Sequence, residues 1–344
     1  VSYGAMGVFG LYCLLSYLNY VREELSRRQI RNTFSRYVSP ALVDQLSQRS
    51  EQLQLGGETK NMTIMFCDIR NFTSISERYQ HDPQGLTQLI NRLMTSLTES
   101  ILDHNGTIDK YIGDCIMAFW NAPLDDSKHA ANACEASLDM FHKLDQFNET
   151  RKTEAETTGA SFFPINIGIG INTGTCVVGN LGSEHRFDYS VLGDPVNVAS
   201  RLEGKTKFYG VGVVIGPQTA TLAEKQLAML EIDLMTLRGK RKPARTYALL
   251  GGSELRDDPQ FQSLVASHTA MLQAFRSRQW SQVKDLLVDC RNNPHAPTGL
   301  YTRYDDRLAY YEQNPPPDEW VSIFDAISNG LKIDEGKAGI VRKV

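Results

Sequence analysis

Apolar positions in the middle of the chain change their period repeatedly, and each change marks an element. Met62–Cys67 is a short apolar run of strand length. Leu86, Leu89, Ile90, Leu93, Leu97 and Ile101 recur at helical spacing, so Gln84–Asn105 reads as an amphipathic helix closed by Asn105-Gly106. Thr107–Ile112 and Cys115–Trp120 are strand-length runs on either side of Gly113-Asp114, a hairpin signal. Ser127–Phe147 reads as a second amphipathic helix with Ser127 as its N-cap. Ile165–Ile171 and Cys176–Val178 are expected to flank a turn. Asp194-Pro195 opens a helix that Gly204 is expected to end. Val211–Ile215, Glu231–Leu237 and Thr246–Leu250 are further strand candidates. The order strand, helix, strand, strand, helix, strand is that of an α+β, ferredoxin-like βαββαβ core with added strands.

The flanks follow other patterns. Residues 1–21 carry no charged side chain, and as a helix they would extend about 30 Å, enough to cross a bilayer. Arg22, Arg27, Arg28 and Arg31 follow, which puts the rest of the chain on the cytoplasmic side of such a membrane. From Val21 to Leu46 two apolar stripes follow one another out of phase, the pattern of a short coiled coil with a register break or of one amphipathic helix lying on the next domain. From Ser253 onward the pattern is helical: Met271, Leu272, Phe275, Trp280, Val283, Leu286 and Leu287 suggest a helical hairpin, followed by a helix over Tyr301–Tyr311. A single hairpin cannot bury its own apolar face, so this one is expected to pack on something else. The expected organisation is a transmembrane helix over 1–21, a helical linker over 22–57, a catalytic core over 58–252 and a helical extension over 253–344.

Composition narrows the chemistry mainly by exclusion. A formal net charge of −4 over 344 residues, with no basic stripe, gives no footprint for nucleic acid. None of the six cysteines lies in a CxxC pair, and most sit in apolar runs, so they read as buried thiols rather than disulfides or zinc ligands. Acidic residues at strand ends are more informative. Asp68 follows the first strand and Asp114 tips the hairpin. In a ferredoxin-like sheet these elements are central neighbours, so two carboxylates there can hold two hard cations about 3.5–4 Å apart. The start of the helix expected after Asp68, with Phe72 and Thr73, offers backbone N–H groups to phosphate oxygens, although Thr73 serves equally as an N-cap. Asn197 and Arg201 lie four apart on the helix opened by Asp194-Pro195, while Val196, Ala199 and Leu202 can face the core. Such an Arg suits charge stabilisation on a transferring phosphoryl group; the structural alternative is a solvated face with Arg201 paired to Glu203 or Glu224.

Three segments together resemble one family. Phe66-Cys67-Asp68-Ile69-Arg70-Asn71-Phe72-Thr73, Lys110-Tyr111-Ile112-Gly113-Asp114 and Tyr189-Ser190-Val191-Leu192-Gly193-Asp194-Pro195-Val196-Asn197-Val198-Ala199-Ser200-Arg201-Leu202-Glu203 are similar, in order and spacing, to the class III adenylate/guanylate cyclase catalytic domain. The resemblance implies synthesis of cyclic AMP from ATP with two Mg²⁺ (or Mn²⁺) ions. It assigns Asp68, Ile69 and Asp114 to the metals, Asn197 to the ribose and Arg201 to the transition state. Lys110 matches the purine-reading lysine of adenylate cyclases. Its usual aspartate partner is replaced by Ser190, whose hydroxyl can accept from the adenine amino group or donate to the ring; Asp188, two residues earlier, is set aside as facing the other way. Arg238 or Lys240 would hold the triphosphate. The resemblance further implies a homodimer with composite sites, Gly179–Phe187 reaching across to the partner. A guanylate cyclase, or a silent nucleotide-sensing dimerisation module, are the alternatives; the Gly-Gly-acidic-acidic-Phe signature of diguanylate cyclases is absent.

Overall fold

The computed structural model describes residues 16–17, 56–183, 186–235, 243–317, 320, 322, 331–333 and 340–342. The expected membrane segment 1–21, apart from Ser16 and Tyr17, the linker helix and the pair Arg238 and Lys240 all lie outside the described residues. Among the described residues no helix is long and apolar enough to cross a membrane. The larger compact unit of the chain comprises residues 55–344.

The core strands of this unit are β1 (Gly56–Ile69), β2 (Thr107–Ile112), β3 (Cys115–Trp120) and β4 (Ile167–Ser183). They lie in the order β2-β3-β1-β4, each antiparallel to its neighbour. Helices α1 (Phe72–Arg78) and α2 (Pro83–Asp103) join β1 to β2, and α3 (His129–Thr158) joins β3 to β4. This is the ferredoxin-like arrangement expected from the sequence. The sheet continues beyond β4 through β6 (Val213–Ile215), β8 (Ala244–Gly251) and β7 (Ala228–Met235), while β5 (Arg186–Leu192) folds back along the second half of β4.

Alternation along β1 explains why its apolar run is nearly continuous. Met65, Cys67 and Ile69 face α2 and α3, meeting Leu93, Leu97, Met140 and Leu144. Met62, Ile64 and Phe66 face the opposite side, meeting Met117, Phe119, Val178 and Ala199. A central strand covered on both faces needs apolar side chains at both phases.

Several boundaries differ from expectation for identifiable reasons. Ser127 does not cap α3: the cap position falls on Lys128, without a side-chain cap hydrogen bond, and just ahead of the helix Asp126 Oδ1 accepts from the Lys128 N–H at 2.8 Å and the Asp126 carbonyl from the His129 N–H at 3.2 Å. The turn expected between Ile171 and Cys176 is absent, because β1 pairs with β4 along its whole 14-residue length and holds that strand extended through Gly174. Helix α4 (Asp194–Tyr209) runs through Gly204 and ends at Gly210, which takes the left-handed φ of 63° that favours glycine. Burial of Thr206 and Tyr209 on the last turn accounts for the extra length.

After a short helix α6 (Ser253–Asp257), which follows α5 (Pro217–Ala223), come α7 (Pro259–Arg276), α8 (Trp280–Arg291) and α9 (Thr298–Gln313). Their apolar faces join Val198, Leu202 and Tyr209 of α4 and Leu230, Ile232 and Ala248 of β7 and β8 in one core. The partner the helical hairpin needed is therefore the far end of the sheet. Tyr304 donates to the Ile232 carbonyl at 2.7 Å and Arg303 to the Phe208 carbonyl at 2.7 Å, fixing α9 on that surface.

Candidate active site

Asp68 lies at the penultimate position of β1, one residue inside the strand rather than beyond it, with Gly168 opposite on β4. Its Oδ1 accepts from the Ile69 N–H at 3.1 Å. The β2–β3 hairpin closes at Gly113 in a left-handed conformation, φ 64°, which leaves Asp114 at the tip beside Asp68. Partial burial, and then the negative charge of Asp68, push the Asp114 carboxyl up to about 6. The two carboxylates anticipated from the sequence do converge.

A third acid joins them. Glu203 is pushed up to about 7 by burial, then by Asp68, with Asp114 adding to the effect and Arg70 opposing it. Its place depends on Gly170: a Cβ there would lie 2.1 Å from the Glu203 nitrogen and 2.3 Å from the Ala199 carbonyl, so only glycine lets α4 settle on β4. Arg70 is half-buried and donates to the Val211 carbonyl at 3.3 Å. Neither Glu203 nor Arg70 was selected from the sequence. Both sit inside the quoted motifs, but the sequence alone paired Glu203 with Arg201, whereas the groups acting on Glu203 are Asp68, Arg70 and Asp114. The neighbouring thiols are not available as nucleophiles, since burial raises both Cys67 and Cys115, the latter to about 12.

Asn197 and Arg201 are exposed on one face of α4, while Val198, Ala199 and Leu202 are buried beneath. No ion pair forms on Arg201 among the described residues, and neither Arg201 nor Lys110 is among the charges acting on Asp114 or Glu203. Lys110 and Ser190 form a separate group. Ser190, on β5, is buried, and its Oγ donates to Asp109 Oδ2 at 2.8 Å; the Lys110 ammonium lies 3.3 Å from Asp109 Oδ1. Asp188 does not face away from Ser190: residues two apart on a strand share a face, and its charge reaches Asp109. Phe72 packs against the core and Thr73 is exposed in the first turn of α1, with Asn71 rather than Thr73 in the cap position.

The residues present fit hard divalent cations. Two close, partly buried carboxylates, one of them raised by burial and by the charge of the other and with only Arg70 among the described residues nearby to balance three acids, are an oxygen-donor pair of the kind that Mg²⁺ or Mn²⁺ satisfies with waters and substrate phosphates. Among the described residues no group of three or more His, Cys, Asp or Glu side chains is arranged to hold a metal unaided.

The chain is also similar to known proteins. The family model described as "Adenylate and Guanylate cyclase catalytic domain" matches residues 56–251. Adenylate cyclase 1 of Rhizobium meliloti is 33% identical over 222 residues, covering 64% of this chain and 32% of that protein. An adenylate cyclase of Anabaena cylindrica is 39% identical over 186 residues, covering 54% and 35%. The chain thus spans about a third of the length of these relatives. Among solved structures, the adenylyl cyclase CyaB from P. aeruginosa superposes with a TM-score of 0.50 at 30% identity, covering 57% of this chain and 96% of that one. The guanylyl cyclase Cya2 superposes at 0.51 and 31% identity, covering 58% and 96%.

Proposed function

The chain belongs to the adenylate and guanylate cyclase catalytic domain family, and on that premise we propose that it converts ATP to 3′,5′-cyclic AMP and pyrophosphate as a homodimer. The observation that carries this reading is the convergence of Asp68 and Asp114, close enough that the Asp68 charge adds to burial in raising the Asp114 carboxyl to about 6. Asp68 and Asp114, with the Ile69 carbonyl, would hold two Mg²⁺ or Mn²⁺ ions, whose chemistry when bound is Lewis-acid activation of the ribose 3′-hydroxyl and neutralisation of phosphate charge. Lys110 and Ser190 hold the purine, Asn197 orients the ribose, and Arg201 lies against the charge that develops at the α-phosphorus. The start of α1, at Phe72 and Thr73, and one of Arg238 and Lys240 take the triphosphate.

What supports two subunits is that, among the described residues, the site residues of one chain fall into two groups, the acids and the set of Lys110, Ser190 and Arg201. The charge acting on Asp114 is that of Asp68, and those acting on Glu203 are Asp68, Arg70 and Asp114; neither Arg201 nor Lys110 is among them. A symmetric pair would complete two sites, each taking its acids from one subunit and its purine and transition-state residues from the other. The charge-free stretch 1–21 followed by arginines supports an anchor in the inner membrane with the catalytic core in the cytoplasm, as the output of a receptor.

Adenylate-cyclase relatives and Lys110 favour ATP over GTP; the similarity to a guanylyl cyclase structure is what keeps GTP as the alternative. Turnover of each nucleotide by the purified chain with Mg²⁺ or Mn²⁺ decides between them. Cyclic AMP is the expected main product; cyclic GMP as main product would overturn the substrate, and no product with either would overturn the activity.

A further inference from the structure

We propose that Asp109 sets the purine preference by fixing the Ser190 hydroxyl as a hydrogen-bond acceptor; the inference rests on the adenylate cyclase reading above. It starts from an irregularity in the hairpin. Ile108 lies opposite Ala118 and Lys110 opposite Met117, so Asp109 is the extra residue of a β-bulge. In a regular strand neighbours point to opposite faces, and Asp109 would be expected to turn away from whatever Lys110 serves. A bulge re-aims side chains, and here it brings both residues to one place.

Geometry then constrains protons. The Asp109 side chain is 0% exposed. Its Oδ2 receives the Ser190 Oγ–H at 2.8 Å. Its Oδ1 is buried, accepts no hydrogen bond among the described residues, and has the Lys110 ammonium at 3.3 Å. Burial raises the Asp109 carboxyl, and Asp188 adds to that, while Ser190 and Lys110 oppose both and favour the ionised form. An ionised carboxylate only accepts, and a serine hydroxyl has a single proton. With that proton committed to Asp109, Ser190 offers a ligand nothing but lone pairs.

Adenine presents an amino donor at C6, whereas guanine presents a carbonyl acceptor there. An obligate acceptor at Ser190 therefore pairs with adenine and leaves two acceptors facing each other with guanine, and a buried mismatch of that kind discriminates strongly. A free hydroxyl would rotate to suit either base. Ser190 alone is thus ambiguous, and the buried carboxylate behind it removes the ambiguity. Asp109 touches the side chains that touch the base, so it is a positioning residue.

The test is the ratio of kcat/KM for ATP to that for GTP, measured on the full chain and on Asp109→Asn. The amide is isosteric and can donate to Ser190, releasing the hydroxyl proton toward the base. The ratio is expected to fall at least about tenfold, mainly through a lower KM for GTP. In a Ser190→Ala background the same substitution should leave the ratio unchanged, while Ser190→Thr, which keeps the hydroxyl, should preserve the wild-type ratio. Asp188→Asn, which alters charge near Asp109 without touching the Ser190 bond, should also preserve it. Equal loss for both nucleotides in Asp109→Asn, or an undiminished effect of that substitution without the Ser190 hydroxyl, would overturn the proposal. If Asp109→Asn turns over neither nucleotide, competition of ATP and GTP for a bound fluorescent nucleotide supplies the same ratio and decides the point in the same way. A wild-type chain that itself favours GTP, or is inactive, would instead overturn the functional reading.

Discussion

Two groups of acidic side chains at opposite parts of the described sheet, one partly buried and one fully buried, are treated in opposite ways. At the ends of the central strands Asp68, Asp114 and Glu203 crowd together with Arg70 as the one cation among the described residues that acts on them, and two of the three are displaced to about 6 and about 7. At the far end of the sheet Asp233 is matched group by group. Arg307 lies 2.8 Å from Oδ2, Tyr209 donates to the same oxygen at 2.6 Å, and the Leu234 N–H donates to Oδ1 at 2.8 Å. Burial would lower the Arg307 pKa, but Asp233 together with Tyr304, Tyr209 and Tyr311 outweighs it and holds the guanidinium above its ordinary value. Phe275 and Tyr304 cover the guanidinium at 4.9 and 5.0 Å. Where acids and donors match, the charge serves the fold. Where acids outnumber cations, the fold carries an electrostatic cost that a bound cation or proton uptake relieves, which marks a functional site. Helix α4 joins the two places, with Arg201 and Glu203 in its middle and Tyr209 at its end.

The largest expected effect is at the matched end. Arg307→Leu strands Asp233 in an apolar core, and loss of one member of a buried pair costs about 3–5 kcal/mol. Urea unfolding should show that loss, with α7 to α9 losing their hold on the sheet. A change under about 1 kcal/mol would mean the pair is not what holds the extension.

The unmatched group should respond in the reverse sense. Asp68→Ala removes one of three repelling charges, so the domain should melt no lower than wild type while activity falls about 10²–10³-fold. Arg201→Ala should lose activity to a similar degree. Mixed in equal amounts, half of the dimers are heterodimers with one intact site of two, so about a quarter of wild-type activity should return. A mixture that stays inactive with dimers present would remove the two-subunit site; an Asp68→Ala chain that unfolds would remove the contrast itself.

Legibility in the sequence divides along the same line. Period and turn chemistry exposed the core strands and helices, and the three motifs exposed Asp68, Asp114, Asn197 and Arg201, because those residues sit at strand ends, turns and an exposed helix face where local rules apply. Asp109 was not legible: strand alternation sends it away from Lys110, and only the bulge, a long-range consequence of pairing with β3, brings it back. Glu203 was legible as a charge but not as a neighbour of Asp68, since that proximity depends on the close approach of α4 over Gly170. The Asp233–Arg307 pair joins residues 74 apart in sequence, and no periodicity carries such information. Alternation should have kept Asp188 on the Ser190 face.

The smallest of the three effects concerns the surface by which the helical extension is attached. His268 of α7 is buried, with Nε2 2.6 Å from the Glu231 carbonyl and Nδ1 3.2 Å from the Tyr301 hydroxyl. The neutral ring fits both partners if Nε2–H donates to the carbonyl and Nδ1 accepts from Tyr301. Burial lowers its pKa to about 4; the nearby Glu231 carbonyl and charge oppose this, and Arg276 adds to it. A histidine depressed in the folded state binds its proton first in the unfolded chain, so its contribution is whole above about pH 6.5 and is lost as pH falls toward about 4. Over that interval the loss approaches about 3 kcal/mol, from about 2.5 units at 1.36 kcal/mol each. Carboxylates elsewhere also titrate there, so the informative measurement is a difference: urea stability against pH for the wild type and for His268→Gln, which keeps a donor and an acceptor but no titrating group. The wild-type curve should fall more steeply between pH 6.5 and 4. Parallel curves would mean that the far end, matched at Asp233, is also indifferent to protons at His268, and that acid acts on this fold through the carboxylates alone.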